Sequence, residues 1–360
     1  MLLPSSSASS IAWIGSTQAF LLLSAGALTG PLYDAGYFRA LLFTGTLLLV
    51  AGQTLLSLCT SYTQIFLAQA LCIGFGTAAL FVPSVAILTT YFSTRIGAAI
   101  GLAAAGSSAG GVLYPIAFHA LLPRIGFPWT TRALALLVGA TMAIPCAVMR
   151  PRTRPPHTRA LLDLAAFRIP AYTLQVAGFA TGFMGLYMPF FFAQTYALDR
   201  RLTSPDLAFY LLAIMNGASV FGRIVPNVAA DRVGALNVVV PCCAVAGALC
   251  VCYVPVTGTP GLCVLMAVYG FFSGAFVSLP PTVVVALSQD ARDKIGTRMG
   301  QSFFVVGVGV LVGTPVGGAV LDRWGWGALW GYGGGMLFLG AGFLGAARMV
   351  AGGWRWRVKV

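Results

Sequence analysis

The 360-residue chain has no glutamate, and its eight acidic residues are all aspartates, at positions 34, 163, 199, 206, 231, 290, 293 and 322. Charged residues make up only 8% of the sequence. A soluble domain carries about 25%, so a water-soluble globular fold is excluded. Every aspartate falls in a polar break between apolar stretches or at the end of one. No carboxylate is left within a stretch to relay a proton. No Ser/His/Asp set, acid pair or metal cluster lies there either, which argues against an enzyme. Histidine occurs only twice, and the eight cysteines (59, 72, 146, 242, 243, 250, 252 and 263) lack zinc-site spacing with His partners. They read as small buried apolar residues, and neither a metal nor a cofactor is expected. The alternating pattern of a membrane β-barrel is also missing.

What the chain has instead is long apolar runs: 58% of its residues are hydrophobic. Runs of about 18 residues or more cross a bilayer core as helices, because no water is there to satisfy the backbone. Eleven such stretches are marked: 11–31, 39–58, 63–90, 96–121, 129–149, 171–195, 206–225, 235–255, 261–287, 300–320 and 327–349. The reading is an all-α polytopic membrane protein with two helix bundles and about 11 spans. Its parts are a short extracellular end (1–10), a first bundle (11–149), a cytoplasmic linker (150–170), a second, six-helix bundle (171–350) and a cytoplasmic tail (351–360). In the linker, prolines 151, 155 and 156 keep the first part extended, and residues 159–168 are expected to form a short amphipathic helix.

The net charge of +13 does not point to nucleic acid, because the basic residues sit in short loops between stretches. Counting alternate loops puts fifteen Lys and Arg on the side of the linker and five on the other. That places the linker and the C-terminus in the cytoplasm and leaves Arg223, inside a stretch, unassigned.

The two halves repeat. GPLYDAGYFR (30–39) and NVAADRVG (227–234) both place an Asp and a Gly in a tight turn, Asp34 matching Asp231 at an offset of 197. At an offset of 203, Gly97, Gly106 and Gly110 match Gly300, Gly309 and Gly313. Parallel repeated halves are a device of secondary transporters. The same offset puts the counterpart of stretch 171–195 ahead of Met1, so the first span of the first half is expected to be absent.

Those turns resemble the major facilitator superfamily. Tyr91-Phe92, Arg95, Gly101, Ala103, Ala105, Gly106 and Ser107 resemble the motif of its monocarboxylate porter family, with Thr94 for a usual Lys and Ala98 for a usual Leu. The linker RALLDLAAFRIPAY and the turn GRIVPNVAADRVG are similar to its fungal branch. The resemblance implies the major facilitator fold, two pseudo-symmetric bundles with 11 helices in place of 12. It also implies alternating-access transport of a small organic anion or acidic metabolite, such as export of a fungal secondary metabolite. The alternatives are a transporter-fold sensor without flux and an N-terminally shortened, inactive product. The expected partners are that metabolite, membrane lipids and a proton as the candidate coupling ion, in a monomer at the plasma membrane.

Ionisable residues in spans are functional hypotheses. The resemblance makes Arg223 the partner of a substrate carboxylate; the alternatives are an Arg snorkelling to the cytoplasmic headgroups and a brace on the Asp231 turn. Ser219 stands one turn earlier, where the family often has an acid. His119 is the other titratable candidate for coupling. Asn216, Tyr114, Tyr187, Phe272 and Phe276 are the remaining expected wall of the substrate site. Asp34 with Arg39, and Asp231 with Arg232, read as latches that cap and pair with neighbouring helix ends. Gly97, Gly101, Gly106, Gly110, Gly309 and Gly313 read as packing positions that let helices approach and slide.

Overall fold

A computed structural model of the chain describes residues 8–92, 95–152, 162–291 and 294–353. Residues 1–7 of the expected extracellular end, Thr94 of the motif, residues 159–161 of the expected linker helix and 354–360 of the tail lie outside them. The described residues are helical, without a strand. In chain order the helices are α1 (Ala8–Ser24), α2 (Gly26–Asp34), α3 (Phe38–Leu56), α4 (Tyr62–Ile65), a π-helical segment Phe66–Ile73, α5 (Gly74–Tyr91) and α6 (Ile96–Val148). After a 3-10 turn, Leu164–Arg168, come α7 (Pro170–Leu186), α8 (Met188–Asp199), α9 (Pro205–Val233), α10 (Ala235–Val251), α11 (Thr259–Ser278), α12 (Pro280–Ala286) and α13 (Ile295–Gly352). All eleven apolar stretches fall on these helices. Among the described residues seven helical segments are long and apolar enough to cross a membrane, and α1 and α10 are shorter apolar helices.

Two of the long ones are double. The 53-residue α6 and the 58-residue α13 break at Gly126 (φ 71°, ψ 170°) and Gly325 (φ 78°, ψ −173°). Only glycine visits such angles freely. The two breaks lie 199 residues apart, so the repeat seen in the sequence is also a repeat of backbone geometry. The joins α7–α8 and α11–α12 come just ahead of Pro189 and of Pro280 and Pro281, which lack the N–H that a continuous helix needs. Pro83 and Ser84 do not interrupt the helix they lie in. α5 runs through both, and the Ser84 hydroxyl bonds the Leu80 carbonyl at 2.6 Å.

The second half has the larger core. α7 threads between both rods of α13, and Phe179, Phe183, Leu186, Phe276, Val310 and Leu344 are buried around it. Gly309 is pressed against the Ala180 carbonyl, and a Cβ on Gly313 would lie 2.5 Å from the Cα of Met184. The first half holds only small clusters, around Phe38 and around Ile65.

The halves meet along two helix pairs. α1 packs on the first rod of α13, Phe20 lying over Gly307 and Phe304. The first rod of α6 packs on α9, antiparallel to it. Residues Asp163–Arg168 fold against the start of α13 at the same end as Asp231. This is called the linker end below, and the end at Gly126 and Pro205 the far end. Asp163 is buried there. It bonds Arg298 Nε through Oδ2 at 3.1 Å, while Gln301 accepts its backbone N–H at 3.0 Å and donates to its carbonyl at 3.2 Å. The Tyr172 hydroxyl donates to the Arg298 carbonyl at 2.6 Å, and Arg298 Nη1 reaches Asp290 at 3.1 Å.

Candidate functional site

α9 carries one polar stripe. Ser219, Arg223, Asn227 and Asp231 recur every four residues, so they share a face. That face lies against the glycine and alanine face of α6. Side chains that small let the α9 backbone come close, and the polar groups of the stripe then find partners across the gap.

Arg223 is the centre. Its Nε donates to Ser219 Oγ at 3.4 Å. Its Nη1 donates to the Ala104 carbonyl at 3.1 Å and to Ser107 Oγ at 2.7 Å, both on α6. Ser219 is buried, and its Oγ also accepts from the Ser108 hydroxyl at 3.1 Å. Nη2 of Arg223 forms no hydrogen bond with the described residues. The guanidinium thus braces two halves and keeps one edge of its fork unspent. Tyr187, at the α7–α8 join, is ringed by Phe183, Phe190 and Phe191.

The latch residues separate. The Gly97 and Ala98 N–H groups donate to the Asp231 carboxylate at 3.1 and 3.0 Å. A carboxylate of one half therefore caps a helix start of the other, where the helix dipole favours it. Arg232, the other member of that expected latch, is exposed and forms no ion pair among the described residues. Asp34 is buried at the end of α2, which packs on α13, while Arg39 is exposed and forms no ion pair among the described residues.

Other expected wall residues sit differently. Asn216 is buried; its Nδ2 bonds the Leu212 carbonyl at 3.0 Å, and it packs on Gly111 of α6, so it belongs to the helix contact. Phe276 is fully buried against Phe179 and Phe183, behind the wall. Phe272 is half-buried on α11, against Phe271. Tyr114 faces the second rod of α6, its hydroxyl 3.5 Å from Thr141 Oγ1.

The glycines divide too. Gly97 and Gly101 are the close approach: a Cβ there would meet Asp231 Oδ1 and the Arg223 carbonyl, each at 2.5 Å. Gly106 and Gly110 are a correction. A Cβ on Gly106 would meet nothing within 4 Å, and one on Gly110 only the ring of Tyr114, because their face of α6 is open. Their repeat partners Gly309 and Gly313 are covered by α7.

Asn227 was not foreseen. It is fully buried, donates to the Arg223 carbonyl at 2.8 Å and to Ser278 Oγ at 2.7 Å, and accepts from Thr282 at 3.4 Å. Its four-residue spacing from Arg223 and Asp231 was the available signal. A cavity of about 700 Å³ lies at the linker end, bordered by Ile96, Pro170, Asp231, Thr282, Asp290 and Val350. Of the expected site residues only Asp231 borders it. Among the described residues no His, Cys or Asp cluster could hold a metal ion.

Comparison with known proteins fits this geometry. The sequence description of the Major Facilitator Superfamily matches residues 4–288. An MFS-type transporter of Emericella nidulans, dbaD, is 46% identical over 341 residues, which is 94% of this chain and 76% of the relative. The fujikurins efflux protein of Gibberella fujikuroi is 36% identical over 349 residues, 96% of this chain and 75% of that one. The crystal structure of the human organic anion transporter MFSD10 (TETRAN) superposes with a TM-score of 0.71 at 15% identity, over 92% of this chain and 83% of that chain. At that identity the likeness speaks for the fold alone.

Proposed function

This chain belongs to the major facilitator superfamily, and on that premise we propose that it is a secondary transporter that exports a small organic anion or weakly acidic metabolite by alternating access. Its relatives are transporters, not enzymes, and it is a multi-pass membrane protein. The fujikurins efflux relative makes a fungal secondary metabolite the first class of substrate to test.

The observation that carries the reading is Arg223, whose Nη1 ties α9 to the Ala104 carbonyl and Ser107 of α6 while Nη2 is unspent. A carboxylate entering beside Tyr187 would take the planar fork of the guanidinium. It would then compete with Ala104 and Ser107 for the same cation. Binding loosens the contact that joins the halves, so substrate favours the other conformation by its difference in affinity for the two. Gating at the linker end falls to Asp231, on the N–H groups of Gly97 and Ala98. The linker and C-terminus lie in the cytoplasm on this reading, and the plasma membrane is the site of action.

The test is efflux of candidate acidic metabolites from host cells with and without the chain. Arg223→Ala is expected to lower efflux at least tenfold at an unchanged membrane level, read by immunoblot. Full efflux in that variant would end the role of Arg223, and equal efflux with and without the chain would end the transporter reading.

The finer family reading, a monocarboxylate porter of the fungal branch, rests on the motif, and the open face of α6 is where one more helix would pack. Gly309 and Gly313 sit against α7, and among the described residues no neighbouring helix covers Gly106 and Gly110, their partners in the repeat. A helix seated in that groove would complete the first bundle as α7 completes the second. Gly106→Leu separates the two states: efflux within about twofold of the parent is expected if the groove stays empty, and a loss if a helix fills it.

A further inference from the structure

At the far end of the same helix pair, another contact joins the halves. His119 on α6 faces the first two turns of α9. Its Nδ1 lies 3.4 Å from the Tyr210 hydroxyl oxygen, and its Nε2 lies 4.0 Å from Asp206 Oδ1. Its ring stacks on Phe209, with centroids 4.5 Å apart and planes 29° apart. All three partners belong to the second half. In the neutral ring, the tautomer that suits both nitrogens carries its hydrogen on Nε2, toward Asp206, and accepts from Tyr210 at Nδ1.

We propose that His119 is a proton-operated latch on the far-end gate, closing it more firmly when protonated. The second proton goes to Nδ1. The Tyr210 hydroxyl then turns from donor to acceptor, so that contact is kept. The ring becomes a cation held between the Asp206 carboxylate and the face of Phe209, both of which attract positive charge. Without the proton only the neutral contacts remain. The far end is therefore held more strongly in acid than in alkali, and closing it takes up a proton by linkage. Imidazole is the side chain suited to a charge change between about pH 5 and 8. Asp206 and Tyr210 are the titratable groups that touch it. The other charges at this end are Arg124 and Arg132 on its own helix, Asp199, Arg200 and Arg201 ahead of α9, and Asp322 and Arg323 beside the break at Gly325. The Asp206 side chain is 87% exposed, so solvent screens the pair and the effect is a few-fold one. At the linker end the Asp231 carboxylate accepts from the backbone N–H groups of Gly97 and Ala98, which carry no exchangeable charge of their own. A proton gradient across the membrane would thus act on the far-end gate.

The proposal rests on the alternating-access reading, and the test keeps the two apart. Spin labels at positions 124 and 201, attached through an inserted non-natural residue so that the native cysteines stay in place, report the far-end separation in the full chain in lipid nanodiscs. From pH 8 to pH 5 the ratio of short to long distances is expected to rise about two- to fivefold. His119→Gln, which keeps a neutral contact with Tyr210, is expected to abolish the rise. An identical distribution at both pH values, or an unchanged response in His119→Gln, would overturn the latch. Efflux measured in parallel decides the other question: flux without a pH response removes the latch alone, and a pH response without flux removes the transporter alone.

Discussion

A Gly101→Ala chain is expected to reach the membrane at the parent level and to export about tenfold less. The added methyl would sit 2.5 Å from the Arg223 carbonyl and 2.9 Å from Cβ of Asn227. Neither can yield cheaply. The carbonyl belongs to the α9 backbone, and Asn227 is held by Arg223, Ser278 and Thr282. α6 and α9 must draw apart, and overpacking of this kind costs about 1–3 kcal/mol. That cost falls only on the state in which the linker end is closed. The conformation with that end open keeps its stability, so the protein persists but the cycle stalls. Gly342→Ala adds the same methyl at a site with nothing within 4 Å and is expected to export within about twofold of the parent. Efflux rate against immunoblotted membrane level reads both. Equal rates in the two variants would show that close approach of α6 to α9 is not a step of transport.

Arg298→Ala is expected to give the largest loss of stability. The Arg298 and Asp163 side chains are only 5% and 8% exposed and lie 3.1 Å apart. Removing the cation leaves a buried carboxylate without its main partner, a change that costs about 3–5 kcal/mol. Lys294, 3.8 Å away and half exposed, recovers little of it. The melting midpoint in lipid nanodiscs is expected to fall by about 5 °C or more. The charge-free pair Arg298→Met with Asp163→Leu is expected to lose less than half as much, since a buried pair replaced whole by apolar groups is often near neutral. If the single variant melts with the parent, the knot contributes nothing to holding residues 163–168 on α13.

The two effects differ in how visible they were. Ser219 and Arg223 stand out in the sequence because polar side chains are rare in apolar stretches, and Asp231 because its tight turn repeats that of Asp34. Asn227 shares their spacing but lies past the end of stretch 206–225, and nothing in its local sequence marks it as buried. Asp163 had no local signal at all. Its partners Arg298 and Gln301 are 135 and 138 residues away, and only folding brings them to it. Phe276 and Asn216 looked like cavity residues because aromatic and amide groups in a span suggest one. Helical rotation turned the first into the core and the second into a helix contact.

By itself, the sequence determined which segments form apolar helices and that the halves repeat. Hydrocarbon leaves the backbone no partner except its own next turn, so composition and run length decide the helices. The two tight Asp–Gly turns and the spaced glycines carry the repeat without reference to any contact. Only the tertiary structure decided which face of each helix meets which neighbour. Gly101 and Gly106 are one glycine pattern in the sequence. In the fold one is pressed against Arg223 and the other is bare, because five residues turn a helix through well over a full turn and only one side of α6 has α9 beside it. The same holds for the latches. A carboxylate can cap any nearby helix start, and it took the packing of one half on the other to give Asp231 the N–H groups of Gly97 and Ala98.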